Sequence, residues 1–513
     1  MIKNIYMKVA TLAIALFVVA SCTDNFEEIN TDPNNPAVVG TGALMANAQK
    51  GLIDDIYDEW FSGRQSYAYA QYFAQRNYTE EDRYQLRQPT NNTYWTLIYG
   101  DIMDLVEVIR LNEELGEEGN TNQIAAARIL KAWAMQILTD AYGDIPYFEA
   151  FKQDQNVSPA YTPQSEIYAD LIKELTEASA QIDVNQHVFE PETGDLIYDG
   201  DPVKWKKFAN SLKMRVAIRM SKVDPNYLTY IQEAVADGVF TSNEDNAVLH
   251  YLGSIANADM APLNDAYYFS NRNDFTLSKP FVDLLKGAND EANNKTNPFE
   301  GLFDPRLSVW AVPNGQEYHG MPYGIPNDVT AAAREGTIDL THGGSVTAGN
   351  LGLTYMDYAE VCFIMAEVEG WSQEWYEKGV QASLSHWATE GGRTRSLPAN
   401  YSTLVETYLA NLPPANMETV LTQKYIALFL QGYEAWAEIR RTDYPTTLVR
   451  PGEIAFVSSG GNEVVFEPLV GNDIPSRITY PVIEQTLNPR GYQEATSRIG
   501  GDEMSTKLWW DRD

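Results

Sequence analysis

Cysteine, histidine and positive charge are all scarce in this chain. Of its 513 residues only two are cysteine, Cys22 and Cys362, so no framework of disulfides can staple it. The five histidines (His187, His250, His319, His342, His386) are scattered without metal-ligand spacing. Lys and Arg number 37 against 71 Asp and Glu, a formal charge of −34. Nucleic acid is therefore not an expected partner, because binding phosphates takes clustered cations. Also missing are the His-Glu-x-x-His, Gly-x-Ser-x-Gly, phosphate-loop, dinucleotide-glycine and EF-hand patterns. No cofactor is expected: so many acids leave room for a structural calcium, but no loop has its ligand spacing. Two carboxylates suffice for glycoside hydrolysis, and with 71 acids that requirement decides nothing. Finally, no apolar run after residue 20 reaches membrane-spanning length.

What is present begins with the leader. Lys3 and Lys8 precede an apolar run at residues 9–20, which closes on Val19-Ala20-Ser21-Cys22 and turns polar at Thr23-Asp24-Asn25. The run is short for a mature spanning helix, and small residues before a cysteine form the bacterial lipoprotein pattern, in which the thiol is acylated. Residues 1–21 read as a lipoprotein signal peptide. Cys22 is the expected lipidation site, anchoring the chain to membrane lipid without crossing it. Residues 22–42, rich in Asp, Asn and Pro, read as a tether. If Cys22 carries lipid, Cys362 has no partner, and its amphipathic surroundings predict a buried, inert thiol.

From residue 43 onward helical periodicity dominates. Residues 43–60 and 62–75 read as two helices broken near Gly63. Trp95, Ile98, Ile102, Leu105 and Ile109 lie on one helix face, and Ala126, Leu130, Trp133, Ile137 and Ala141 repeat the pattern until Gly143 and Pro146 end it. Residues 164–182 with 202–223, and 354–370 with 374–389, predict further pairs. Between the first two of these, Glu192-Thr193-Gly194-Asp195 reads as a hairpin turn. A helix at 226–237 and a single one at 418–441 complete the set. Small residues at close-approach points suggest tetratricopeptide-like stacking, which buries a continuous core between neighbouring pairs. The expected fold is mostly α: about four such pairs scaffolding long irregular loops with minor β. One domain spans 43–513, its scaffold at about 43–240 and 354–441 and its loop-rich regions at about 243–353 and 445–513. Long ordered loops on such a scaffold are where binding groups belong.

Aromatics carry the positive signal, with 31 Tyr and 11 Trp. An exposed ring can stack on the apolar face of a sugar while Asn, Asp and Arg bond its hydroxyls. Rings in polar neighbourhoods, with their basic neighbours, give the candidate ligand-binding set: Trp60, Tyr67, Tyr72, Arg76, Tyr78 and Tyr84 in the first region, and Tyr267, Tyr268, Arg272, Tyr318, His319 and Tyr323 in the second. No catalytic or metal-binding residue is expected.

Several stretches, in order along almost the whole chain, resemble the SusD/RagB family of nutrient-binding outer-membrane lipoproteins, specifically its SusD-like branch. They are Cys22 to Asn30 with Asp32-Pro33-Asn34; Tyr142-Gly143-Asp144-Ile145-Pro146-Tyr147; Trp205 to Arg219; Asp304-Pro305-Arg306; Gln423 to Arg441; Arg477-Ile478-Thr479-Tyr480-Pro481; and Trp509-Trp510-Asp511. The resemblance implies a non-catalytic lipoprotein on the outer face of the outer membrane. Such a protein captures a glycan, or a peptide in RagB-like members, and presents it to a SusC-like TonB-dependent transporter. An all-α surface glycosidase or lyase is the alternative from another class, and a structural partner of the transporter with no ligand of its own is the third. Family ligand residues lie in variable loops, so none carries over by motif.

Overall fold

The computed structural model describes residues 39–152, 156–253, 259–270, 272–315, 317–338, 345–390 and 397–511. Cys22 and nearly all of the tether lie outside them.

Helices α1 (Thr41–Tyr57), α2 (Gln88–Glu114), α3 (Thr121–Tyr142), α4 (Gln164–Gln181), α5 (Pro202–Arg219) and α6 (Tyr227–Asp237) pack side by side in chain order. Helix α7 (Lys279–Lys286) lies in the loop-rich stretch, and α8 (Tyr358–Val368) and α9 (Gln373–Glu390) form the next pair. They are followed by α10 (Tyr401–Ala410), α11 (Met417–Ala427), α12 (Gly432–Thr442) and α13 (Pro489–Ile499). The architecture is the expected one, mostly α with stacked helix pairs.

Helix α3 shows how the sequence sets these elements. Asn120 caps its start, its side-chain oxygen accepting from the N–H groups of Asn122 (2.9 Å) and Gln123 (3.3 Å), a device worth about 1 kcal/mol. Ala126, Leu130, Trp133, Ile137 and Ala141 are all buried, as their spacing predicts. Gly143 ends the helix at φ +88°, a conformation that favours glycine, and its N–H bonds the Thr139 carbonyl.

Strands occur only as two-stranded antiparallel ribbons among the described residues: β1 (Phe73–Gln75) with β5 (Phe275–Leu277), β2 (Ile145–Pro146) with β3 (Tyr161–Thr162), β4 (Ala247–His250) with β6 (Gly352–Met356), and β7 (Ile454–Val457) with β8 (Glu463–Val465). Three local expectations are corrected. Residues 62–75 form a four-residue helix, Ser66–Tyr69, and then β1; the chain turns at Gln71, φ +56°, and the strand pairs with a partner some 200 residues away. The helix expected at 418–441 is two, broken where Leu430 takes φ +71°. No strands flank Glu192–Asp195, which is an isolated turn.

A buried ion network locks the scaffold. From α5, Arg215 donates to Glu360 (2.8 Å) on α8, and Arg219 to Glu438 (2.5 Å) and Glu434 on α12. Lys424 on α11 also reaches Glu438 (2.8 Å), while Arg441 on α12 binds Glu367 on α8 through two nitrogens (2.7 Å each). Burial alone would raise Glu438, but Arg441, Lys424 and Arg219 outweigh it and hold this carboxyl well below the usual range. Four helices are thereby fixed by charges that find partners. Cys362 is buried and free, and burial pushes its thiol up to about 12, as expected for an inert cysteine.

Candidate functional site

Where α1 ends, the chain makes a tight turn that presents Trp60. The Asp58 carboxylate accepts from the N–H groups of Trp60 (2.7 Å) and Phe61 (3.0 Å). Gly63 permits the turn: a Cβ there would lie 2.2 Å from the Glu59 carbonyl and 3.0 Å from the Phe275 ring. Trp60 stays partly exposed, edge-on to Phe275 on β5 (6.0 Å), with the guanidinium groups of Arg64 (5.1 Å) and Arg272 (5.2 Å) at cation–π distance from its ring.

The β1–β5 ribbon brings the second region to the first. At its end the Arg76 N–H donates to the Asp274 carbonyl (2.6 Å), and the Arg76 guanidinium reaches Asn273 (3.4 Å) and the Ile338 carbonyl (3.5 Å). Asn77 donates to Asp274 (3.3 Å) and accepts from Arg334 (2.9 Å); Arg272 pairs with Asp274. Beside β5, Met321 and Leu277 are joined through the backbone (2.9 Å), and the Ile338 N–H bonds the His319 carbonyl (2.9 Å). The His319 ring is half exposed, 3.0 Å from Glu317. One surface thus gathers an indole, guanidinium groups, amides and a carboxylate from four distant stretches. Two tyrosines on the adjoining turns are exposed, Tyr268 (52%) and Tyr78 (60%).

Five expected site residues are corrected to core. Tyr67, Tyr72, Tyr84, Tyr267 and Tyr323 are buried, so no ligand reaches them. Tyr72 stacks on Tyr425 (4.8 Å) and donates to its carbonyl (2.5 Å); Tyr267 donates to the Phe275 carbonyl (2.6 Å). Tyr84 and Tyr323 both pack edge-on against Phe466, and Tyr67 against Phe73. Tyr318 is half-buried on Phe303 (5.9 Å). The structure brings together Trp60, Arg76 and Arg272, with His319 joined through Ile338 and with Tyr78 and Tyr268 on the adjoining turns. Sequence reasoning missed Arg64, Asn77, Asn273, Asp274 and Arg334. Two of these, Asn77 and Asn273, directly flank residues that were chosen, which is the signal that pointed to them.

Beneath Trp60, Glu59 is buried, and one of its carboxyl oxygens has no hydrogen-bond partner. Burial, reinforced by the Asp58 charge, pushes it up to about 9, so it is uncharged at neutral pH. Among the described residues, an apolar cavity of about 360 Å³ lies beside Trp95, Tyr99 and Phe151, and two of mixed lining, about 260 and 250 Å³, lie near the C-terminal segment. Open surfaces with exposed rings suit a polymer laid across them, whereas enclosed cavities suit small molecules.

Comparison with known proteins now decides the family. Residues 33–481 match the SusD-like model described as starch-binding and associating with the outer membrane. The chain belongs to that SusD-like family. No curated protein matches it by sequence. Among solved structures it is similar to a chitin-binding protein (25% identity, TM-score 0.74, covering 92% of this chain and 100% of the other). It also resembles a SusD homologue from Parabacteroides distasonis (23%, TM-score 0.74, 91% and 97% covered). A chitin-binding SusD homologue from Flavobacterium johnsoniae is similar as well (23%, TM-score 0.71, 91% and 99% covered). The family is described as associating with the outer membrane, and among the described residues of this chain no helix is long and apolar enough to cross a membrane.

Proposed function

We propose that this SusD-like protein binds a glycan at the cell surface through the Trp60 surface and hands it to a SusC-like TonB-dependent transporter, held to outer-membrane lipid by an acylated Cys22. The observation that carries the binding step is the convergence at the β1–β5 ribbon of the partly exposed Trp60 with the side chains of Arg272, Asp274 and Asn77, the exposed Tyr268 lying on the turn before Arg272. Rings offer apolar faces to a pyranose while the amide, guanidinium and carboxylate groups meet its hydroxyls. Chitin oligosaccharides are the first ligand to try, because a structure 25% identical is a chitin-binding protein; starch oligosaccharides come second, from the family description. Binding without turnover is the favoured role, because Asp274 is engaged with Arg272 and Asn77, Asp58 with backbone N–H groups, and Glu59 lies buried beneath the surface.

Calorimetry with chitin, starch and peptide ligands on the soluble mature chain tests the reading. Saturable glycan binding without product release supports it; binding of peptides alone, or cleavage lost with one carboxylate, contradicts it. The anchor is tested separately. Changing Cys22 to Ala should release the protein from the membrane fraction, and retention would contradict lipidation.

A further inference from the structure

Each buried arginine but one is paired with a carboxylate among the described residues: Arg215 with Glu360, Arg219 with Glu434 and Glu438, Arg306 with Asp304, Arg441 with Glu367, and Arg477 with Asp502. The exception is Arg440 on α12, which is 7% exposed. Its nitrogens donate only to the carbonyls of Asp140 (2.8 Å), Ser476 (2.7 Å) and Trp436 (3.2 Å), and its Nη2 is buried with no partner. Its plane lies 3.6 Å from the Trp436 ring centre and 5.0 Å from that of Trp510. Aromatic faces attract a cation but do not neutralise it. The Asp140 carboxylate is already engaged by Arg219 (3.5 Å), Tyr168 and Trp510 (2.8 Å). Burial accordingly lowers Arg440 to about 9, with Asp140 and Asp511 opposing it only in part.

Arg440 lines the cavity of about 260 Å³ near the C-terminal segment, and so do Lys222, Arg450 and Lys507. Three acids share its wall: Asp473, held by Arg450 (3.1 Å), Asp511, 3.7 Å from Lys507, and the exposed Asp443. Among the described residues the wall thus carries four cations and three acids, on a chain whose net charge is −34. A buried charge without a counterion is costly, and a guanidinium is the side chain best shaped to bind a planar or tetrahedral oxyanion. We propose that this cavity is a binding site for a small oxyanion group, a carboxylate or sulfate, for which Arg440 is the buried counter-charge. It shares no lining residue with the Trp60 surface, so an acidic substituent on a sugar or a free anion would be held apart from the neutral glycan.

The test uses the mature soluble chain and measures thermal shift and calorimetric binding with sodium sulfate, glucuronate and glucose, at ionic strength matched with chloride. Sulfate or glucuronate should raise the melting temperature and bind saturably, while glucose should do neither. A preference for glucuronate over sulfate identifies a sugar-borne carboxylate as the source, and the reverse identifies a free or ester sulfate; either supports the site. The double variant Lys222→Ala/Lys507→Ala, which alters two exposed side chains, should fold normally and weaken anion binding about tenfold or more. Its affinity for a neutral glycan should be unchanged, which separates this site from the proposed glycan surface. Arg440→Lys should weaken the anion further, and if it fails to fold the double variant still decides. Equal response to glucose and glucuronate, or anion binding unaltered in the double variant, overturns the proposal.

Discussion

The helical scaffold and the Trp60 surface both place acids beside arginines and aromatic rings, and they do so with opposite electrostatic outcomes. In the scaffold, Glu438 is buried among Arg219, Lys424 and Arg441 and is held charged. Under the Trp60 surface, Glu59 is buried with an oxygen unpartnered, next to Asp58, and is held neutral. The arginines differ in the same way: Arg219 is fully buried and spent on packing, whereas nearly half of the Arg272 side chain faces solvent. Identical residue types therefore build rigidity where buried charges find opposite charges, and recognition where the charged side chains stay partly exposed.

The sharpest way to break this comparison is to remove a charge from the scaffold. Arg219→Ala would leave Glu434 and Asp140 buried without their main counter-charge and Glu438 with one fewer, and should cost about 3–5 kcal/mol in denaturant unfolding. A loss below about 1 kcal/mol would mean that the network is not what fixes the helices. The two regions should also respond to pH in opposite directions. Glu438 is lowered in the folded chain, so its contribution is present at neutral pH and is lost as pH falls below the ordinary glutamate value of 4.5. Glu59 is raised to about 9, so between pH 4.5 and about 9 the folded chain keeps a proton that the unfolded chain has released. Stability falls as pH rises through that window, by at most about 1.4 kcal/mol per pH unit. Glu59→Gln should flatten the decline in melting temperature across this window, and an unchanged slope would contradict the assignment. Smallest of all should be the effect of Trp60→Ala on the fold. Its expected cost is about tenfold in glycan affinity, or about 1.4 kcal/mol, read by calorimetry.

How much of this was legible beforehand depended on the range of the interactions. The face of α3 could be read from Ala126 to Ala141 because helix periodicity is local, and Asn120 and Gly143 marked its ends. The break at Leu430 left only Gly432 as a mark, because both flanking segments are buried and apolar periodicity runs through them. The site was half legible for the same reason. Composition singled out the aromatic stretches, but whether a ring is core or surface depends on partners far along the chain: Tyr72 stacks on Tyr425, and Tyr84 on Phe466. The ribbon that joins the Arg76 stretch to the Arg272 stretch has only three residues per strand, too few to leave an alternation signal.

The central claim is that exposed rings at the end of the β1–β5 ribbon bind the glycan while the buried tyrosines beside them only pack. Calorimetric affinities of Tyr268→Ala and Tyr67→Phe for one chitin oligosaccharide test it directly. The account predicts about tenfold weaker binding for Tyr268→Ala. It predicts unchanged binding for Tyr67→Phe, which removes only a buried hydroxyl with no partner. Full affinity in Tyr268→Ala, or a loss in a normally folded Tyr67→Phe, would contradict it.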